Sequence, residues 1–340
     1  MLEIKKNHNL SPYLTIKVGA LAKFFAVLKT KEDFFEALAF AKQNNLEIFI
    51  LGGGSNTVVV KNINALVLKN EIKGLRIKKE TKTEVFLEIM SGESWMKTVF
   101  FSVEQGLYGL ENLASIYGTV GAAPIQNIGA YGAEFSQVFH SLSAYHLKTA
   151  KEKTFTLDDC HFAYRDSVFK RKYKNKYFIY SLILKLKKSG KLNLNYGSIS
   201  QELIAKRINN PSPKDLAQLI SDIRNTKLPN PNVFPNSGSF FKNPEIKVSQ
   251  FNRLKKIYPD IPMFPAARNG YVKVPAAWLI EEAGLKGKRF KNVGMYAKQA
   301  LILVNYGEAK PVEVLQMINR VKREVKKLFA IDLESEVNII

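Results

Sequence analysis

Apolar residues first recur at helical spacing at Phe34, Leu38 and Ala41, directly after Thr30, Lys31, Glu32 and Asp33, a cap-like start with carboxylates in the first turn. After Asn44 and Asn45 the period changes. The apolar run IFIL at 48–51 reads as a strand and leads straight into the loop GGGSN at 52–56. Further short strands are predicted at 57–60, 65–68, 85–89 and 178–186, with a helix over 95–105 that Gly106 closes. Beyond Pro211 the pattern turns helical again. A helix starts at Ser212, Pro213, Lys214 and Asp215 and runs to about Thr226, before Pro229 and Pro231 stop it. The stretch 229–235 is the candidate linker to a further domain with a helix over 275–282, ended by Gly284, and an amphipathic helix over 311–329. Mixed strands with few long helices make an α+β chain, and no internal repeat is visible.

At 340 residues the chain is too long for one ordinary core, which implies two or three domains. With 46% hydrophobic and 24% charged residues it is a folded chain, not a disordered one. One cysteine, Cys160, excludes an intrachain disulfide, and MLEIKKNHNL is not a secretory leader, so a cytoplasmic location is expected. The uncharged stretch 112–133 is long enough to span a bilayer but carries Pro124, Gln126, Asn127 and four glycines, so no membrane span is expected there. The histidines at 8, 140, 146 and 161 have no metal-ligand spacing, and no metal is expected. The net charge of +21 leaves open nucleic acid, small anionic substrates or plain solubility.

The GGGSN loop is not a Rossmann fingerprint, because the β-branched residues Thr57, Val58, Val59 and Val60 follow where a helix should open. It is not a P-loop either, since no Lys-Ser or Lys-Thr pair closes it. A second segment, GTVGAAPIQNIGAYG at 118–132, has four glycines and no acidic side chain. Such backbone lets NH groups approach a diphosphate and a planar ring system closely. Two such loops, one ending in the side-chain donors Ser55 and Asn56, could grip one diphosphate from two sides.

These segments resemble the bacterial UDP-N-acetylenolpyruvoylglucosamine reductases (UDP-N-acetylmuramate dehydrogenases). The stretches that carry the likeness are GGGSN at 52–56, GLENLASIYGTVGAAPIQNIGAYG at 109–132, YRDSVFK at 164–170, NYGSI at 195–199, TKLPNP at 226–231, SGSFFKNP at 237–244, AAWLIEEAGLKG at 276–287 and LESEV at 333–337. They occur in family order over nearly the whole chain. The resemblance implies a flavin domain of the vanillyl-alcohol oxidase or PCMH type over 1–210, with subdomains of about 1–70 and 71–210. It further implies a connecting helix over 211–228, a C-terminal α+β substrate-binding domain over 229–330, and a tail over 331–340 that returns a catalytic glutamate. In this family NADPH reduces FAD, and the flavin passes hydride to the enolpyruvyl group of UDP-N-acetylglucosamine enolpyruvate to give UDP-N-acetylmuramate, a precursor of peptidoglycan.

By positional match Arg165 is the arginine near the substrate carboxylate, Ser239 the proton donor to the α-carbon, and Glu336 the carboxylate that binds or polarises substrate. Hydride addition to an enol ether conjugated to a carboxylate builds enolate-like charge, which calls for a fixed cation and then a proton. The flavin contacts implied are Gly52, Gly53, Gly54, Ser55, Asn56, Gly118, Thr119, Gly121, Ala122, Gln126, Asn127, Ile128 and Gly129. Substrate contacts implied are Tyr131, Tyr196, Lys227, Asn243 and Gln299. The span 164–199, which contains Tyr196, Gly197 and the basic insert 170–176, resembles the longer of two family types, in which a tyrosine, here Tyr196, closes over the nucleotide. Tyr117 stands where proline is common in the family, Asn338 where arginine is common, and Met295 and Tyr296 where a valine-histidine pair is frequent.

Two other readings compete. Another FAD-dependent oxidoreductase of the same fold would keep the loops and change the reaction. A nucleic-acid-binding protein would use Arg320, Lys322, Arg323, Lys326 and Lys327, but these fall mostly opposite Leu315, Ile318, Val321, Val325 and Leu328, as on a solvated face. The expected partners are therefore NADPH and the UDP-sugar, with no nucleic acid, no membrane and a monomeric chain.

Overall fold

A computed structural model describes residues 1–197 and 199–340; Ser198, inside the NYGSI stretch, lies outside the described residues. The chain divides into two compact units. The first comprises 1–8, 22–53 and 63–226, and the second 9–21, 54–62 and 227–340.

Among the described residues the first unit holds two larger sheets and a two-stranded pair, Gly129–Ala130 with Ala133–Glu134. In one, the order is Lys5–Asn9, Leu21–Leu28, Ile63–Asn70, Ile48–Leu51, and the last two strands both run parallel to their neighbours. The helix Lys31–Gln43 connects two of these strands. It starts where the spacing predicts: Thr30 accepts from Asp33 N while Asp33 accepts from Thr30 N, a full capping box. Its face carrying Phe34, Ala37 and Ala41 packs on Ala26, Leu28, Leu66 and Leu68. Phe34 is fully buried, so truncating it to alanine would cost about 3–5 kcal/mol. The predicted strand at 65–68 is the centre of Ile63–Asn70.

The second sheet of this unit is antiparallel, in the order Glu152–Thr156, Phe139–His146, Tyr177–Lys187, Glu84–Met90, Leu75–Glu80. Val85, Leu87 and Ile89 alternate into the main core, where they meet Trp95 and Val99 of the helix Trp95–Glu104. Glu88 points to the other face and is held by Arg76 and Lys78. The helix Pro213–Lys227 lies where the sequence predicts, with Ser212 and Asp215 exchanging cap hydrogen bonds.

In the second unit Asn236–Ser239, Ile302–Asn305, Val293–Met295 and Arg289–Phe290 form an antiparallel sheet in that order. The helix Pro311–Phe329 buries Val314, Met317, Ile318, Val321, Val325 and Phe329. Leu328, expected on the apolar face, is exposed, and Phe329 takes the buried position at the helix end. Arg320, Arg323, Lys326 and Lys327 are exposed. A second sheet joins Glu245–Lys247, Tyr271–Lys273 and Phe264–Pro265. The predicted strand at 57–60 is shorter than expected, Thr57–Val58, and its partner is the distant Asn338–Ile339, paired in parallel. Among the described residues no helix is long and apolar enough to cross a membrane.

Candidate active site

In the first unit the two glycine-rich loops meet through bare backbone. A Cβ on Gly52 would stand 2.7 Å from Thr119 Oγ1, and one on Gly53 would stand 2.8 Å from Gly118 Cα. The second loop is tied down behind this contact. Gly118 O accepts from Trp95 N (3.1 Å), Val120 N donates to Glu93 O (2.9 Å) and Gly121 N donates to Ser91 O (2.8 Å). The second loop is not wholly irregular, since it contains the 3-10 helix Val120–Ile125. Gly121 leaves no room for a side chain, since a Cβ would meet Ser91 Cβ at 2.5 Å. Ala122 is exposed, Gln126 and Ile128 are half-buried, and Asn127 is buried.

Asn127 braces the loop from within: its Nδ2 donates to Glu134 Oε2 (2.8 Å) and Ala163 O (3.2 Å), and its Oδ1 accepts from Ser136 N (2.9 Å). Arg165 sits at the tip of a tight turn closed by mutual hydrogen bonds between Ala163 and Asp166, both 3.1 Å. Its φ of 53° is in the left-handed region, a conformation that costs about 1 kcal/mol or more in a non-glycine residue. The turn aims the guanidinium at the loop, where Nη2 donates to Gly129 O (2.7 Å). The neighbouring Asp166 pairs with Arg171 at 2.9 Å.

Tyr131, also at positive φ, and Tyr196 stand edge to face with ring centroids 5.8 Å apart. Asn112 Nδ2 holds this corner by donating to Tyr131 O (3.0 Å) and Asn193 O (2.9 Å), and Asn193 Nδ2 donates to Gly132 O (3.2 Å). Burial raises the Tyr131 phenol pKa, with Arg224 opposing and Tyr196 adding to the rise. Arg224, which the sequence reading missed, donates Nε to Ser115 O (3.1 Å). Burial lowers its pKa, Tyr131 and Tyr117 oppose that, and the charge of Arg165 adds to it. The signal available was its place three residues before Lys227 on the Pro213–Lys227 helix.

The second unit assembles the remaining groups. Gly54 has φ 67°, and a Cβ there would collide with Tyr13 O. Ser239 is exposed at the end of its strand, after Gly238 at φ 71°, whose N donates to Asn236 Oδ1 (2.9 Å). The C-terminal tail returns beside that strand: Lys242 N donates to Glu334 O (2.9 Å), Ser335 bridges to Phe241, and Glu336 N donates to Phe240 O (2.9 Å). The same tail holds the first loop, because Asn56 Nδ2 donates to Glu336 O (3.4 Å) and Asn338 Nδ2 to Asn56 O (3.1 Å). The tail thus links Phe240, the neighbour of Ser239, through Glu336 to Asn56. Asn338, where arginine is common in the family, serves here as a backbone clasp.

Asn243 Oδ1 accepts from Ala276 N (2.9 Å) and so caps the helix Ala276–Glu282. Gln299 Oε1 accepts from Leu301 N (3.3 Å), and Lys227 is exposed at the end of its helix. Ser55 is half-buried. Among the described residues no cluster of His, Cys, Asp and Glu could hold a metal ion.

Residues 22–158 match the family model of an FAD binding domain, and residues 230–340 match that of the UDP-N-acetylenolpyruvoylglucosamine reductase C-terminal domain. A UDP-N-acetylenolpyruvoylglucosamine reductase of Flavobacterium johnsoniae is 42% identical over the full length of both chains. One of Pseudomonas aeruginosa is 40% identical over 99% of each chain. The crystal structure of a UDP-N-acetylenolpyruvylglucosamine reductase from Thermus caldophilus matches with a TM-score of 0.68 over 100% of this chain and 98% of that one, at 20% identity, which shows the fold. With both family models in chain order and more than two-fifths of positions shared from end to end with one relative, the chain belongs to the UDP-N-acetylenolpyruvoylglucosamine reductase family.

Proposed function

We propose that the chain is an NADPH-dependent flavoenzyme that reduces UDP-N-acetylglucosamine enolpyruvate to UDP-N-acetylmuramate, working as a cytoplasmic monomer in peptidoglycan precursor synthesis. The observation that carries this reading, beyond the full-length likeness, is the pairing of the tail with the strand of Ser239, which brings Glu336 beside Phe240. We assign flavin binding to residues 1–210, a connecting role to 211–228, and substrate binding to 229–330 with the tail 331–340.

The chain fits FAD by shape. At Gly52, Gly53 and Gly121 a Cβ would collide with the neighbouring segment, so the two loops are held close together with little side-chain bulk, which suits close approach of backbone to a dinucleotide diphosphate. The residues to hold it are Gly52 to Asn56, with Gly118, Thr119, Gly121, Ala122 and Gln126 to Gly129. When bound, the flavin supplies a two-electron relay between NADPH and the enolpyruvyl β-carbon.

The chain's own residues do the rest. Arg165 is to bind the substrate carboxylate with an always-protonated guanidinium and stabilise the charge that builds there. Its hydrogen bond to Gly129 O fixes its direction. Ser239 is to give its hydroxyl proton to the α-carbon as the enolate charge collapses, and to regain a proton from solvent. Glu336 is to orient the substrate from the adjoining strand. Tyr131, Tyr196, Lys227, Asn243 and Gln299 are to hold the UDP-sugar, with Lys227 suited to its diphosphate.

The test is turnover. Purified chain with NADPH and UDP-N-acetylglucosamine enolpyruvate should consume NADPH only when both are present, and mass spectrometry should find a product heavier than substrate by one H2. NADPH oxidation that ignores the UDP-sugar but responds to another acceptor would overturn the assignment in favour of a different oxidoreductase of the fold.

A further inference from the structure

Ile63–Asn70 is the inner strand flanked by two parallel neighbours, and Leu66, Val67 and Leu68 in it are fully buried. A lysine at the next position is out of keeping with that setting. Leu66 and Leu68 face the helix Lys31–Gln43, so by alternation Lys69 projects from the opposite face. There its Nζ donates to the carbonyl of Gly52 at 2.5 Å. Register explains the reach, because Lys69 stands directly opposite Leu51, the residue before the glycine loop.

Gly52 is also the residue that Thr119 Oγ1 approaches, so that a Cβ there would stand 2.7 Å from it. The ammonium therefore sits at the joint of the two glycine-rich loops. Burial lowers its pKa, with the charge of Glu71 opposing and that of Lys73 adding to the shift. Lys73 is engaged elsewhere, with Gly92 O and with Glu93 at 4.0 Å. Among the described residues no carboxylate forms an ion pair with Lys69.

A staple for one carbonyl needs only a neutral donor. Holding an ammonium in a half-buried setting costs stability unless an anion neutralises it, and an ammonium has three donors, of which one is committed to Gly52. We propose that Lys69 is a diphosphate-binding residue of the first unit, supplying the positive charge that the glycine loops lack. The proposal rests on the flavin reading above and assigns the diphosphate to FAD.

The experiment uses the full chain stripped of flavin and titrated with FAD and, separately, with riboflavin, which has the same ring system and no phosphate. Lys69→Gln keeps a donor for Gly52 O and removes the charge. It should weaken FAD binding by about ten- to a hundredfold, the range for one charge-assisted hydrogen bond. Riboflavin binding should stay within about twofold, and added salt should weaken FAD binding less than in the wild type. Lys69→Arg should restore most of the FAD preference.

Equal weakening of FAD and riboflavin, or of neither, would leave Lys69 a loop staple and overturn the proposal. So would an unchanged FAD affinity with a raised KM for the UDP-sugar, which would place the charge on the other diphosphate. A wild-type chain that takes up neither flavin would fail the reading beneath the proposal, a result distinct from failure at Lys69. The thermal midpoint of flavin-free Lys69→Gln shows whether that variant is folded, and Lys69→Met repeats the charge removal without a donor.

Discussion

Gly53→Ala is the sharpest perturbation of the loop contact. Gly53 is not in the left-handed region, so the added methyl brings no backbone strain and the effect is one of space alone. Its Cβ would stand 2.8 Å from Gly118 Cα, 3.2 Å from Gly118 C and 3.3 Å from Thr119 N. Ordinary contact begins near 3.4 Å, so the loops must part by roughly 0.6 Å. The Gly118 loop does not yield readily: Gly118 O is held by Trp95 N, and the Trp95 indole is buried with its Nε1 donating to Leu113 O. Overpacking of this kind costs about 1–3 kcal/mol. For a unit of some two hundred residues that lowers the thermal midpoint by roughly 3–10 °C. A shift of this size also misplaces NH donors, and losing one charge-assisted hydrogen bond weakens FAD by about ten- to a hundredfold. Thermal unfolding with and without FAD, and a fluorescence titration of flavin-free protein, read both effects. Gly106→Ala is the control: no atom lies within 4 Å of its Cβ, but φ is 70°, so it should cost about 1 kcal/mol of strain and leave FAD affinity unchanged. A Gly53→Ala protein with the wild-type midpoint and wild-type FAD affinity would refute the loop-on-loop contact.

Three further outcomes follow from named groups. Ser239→Ala should keep its flavin and its reduction by NADPH while slowing reoxidation by the UDP-sugar by about two to four decades, and stopped-flow absorbance separates the two half-reactions; unchanged reoxidation would remove Ser239 from the proton step. Cys160 is fully buried and its thiol is pushed up to about 12 by burial, with Asp159 adding, so a thiol reagent at pH 8 should label the protein only after unfolding, and labelling of the native chain would contradict that burial. Burial opposes ionisation of Glu88, yet Lys78 and Arg76 outweigh it and hold its carboxyl below the usual glutamate range. Its contribution is therefore present above the unfolded pKa and lost as pH falls through the folded one. Arg76 is largely exposed, so Glu88→Gln should destabilise by only about 1 kcal/mol near neutrality. Denaturant titrations should show that gap closing below about pH 4, and a gap that widens in acid would reverse the sign.

The helices were legible because their signals are local. Thr30 with Asp33 and Ser212 with Asp215 cap the helices they announce, and Gly106 and Gly284 take the positive φ that ends a helix. The strand Phe139–His146 was not legible. Its register shifts between Phe139 and Ser141 and again between Ser143 and Ala144, and both of its faces are covered, Phe139, Leu142 and Ala144 in the main core and Tyr145 against Phe34 on the other side, so the clean alternation of a one-sided strand is lost. The pairing of Asn338–Ile339 with Thr57–Val58 joins segments some 280 positions apart, and nothing in either segment encodes the other. The loops were found from their glycines, whereas Asn112, Lys69 and Arg224 were missed. Each is an ordinary residue type whose role comes from what the fold sets beside it: the carbonyls of Tyr131, Gly52 and Ser115. The excess charge proved a weak guide, since the exposed cations of the Pro311–Phe329 helix lie on its solvent face.

In the proposed reaction one flavin on this chain joins NADPH to the enolpyruvyl group. An anaerobic cuvette tests it directly, with the flavin absorbance followed through two additions. The expected result is a yellow protein whose flavin band bleaches on adding one equivalent of NADPH and returns on adding UDP-N-acetylglucosamine enolpyruvate. A bleached protein that stays bleached after the UDP-sugar, and regains its colour only when air is admitted, would contradict it.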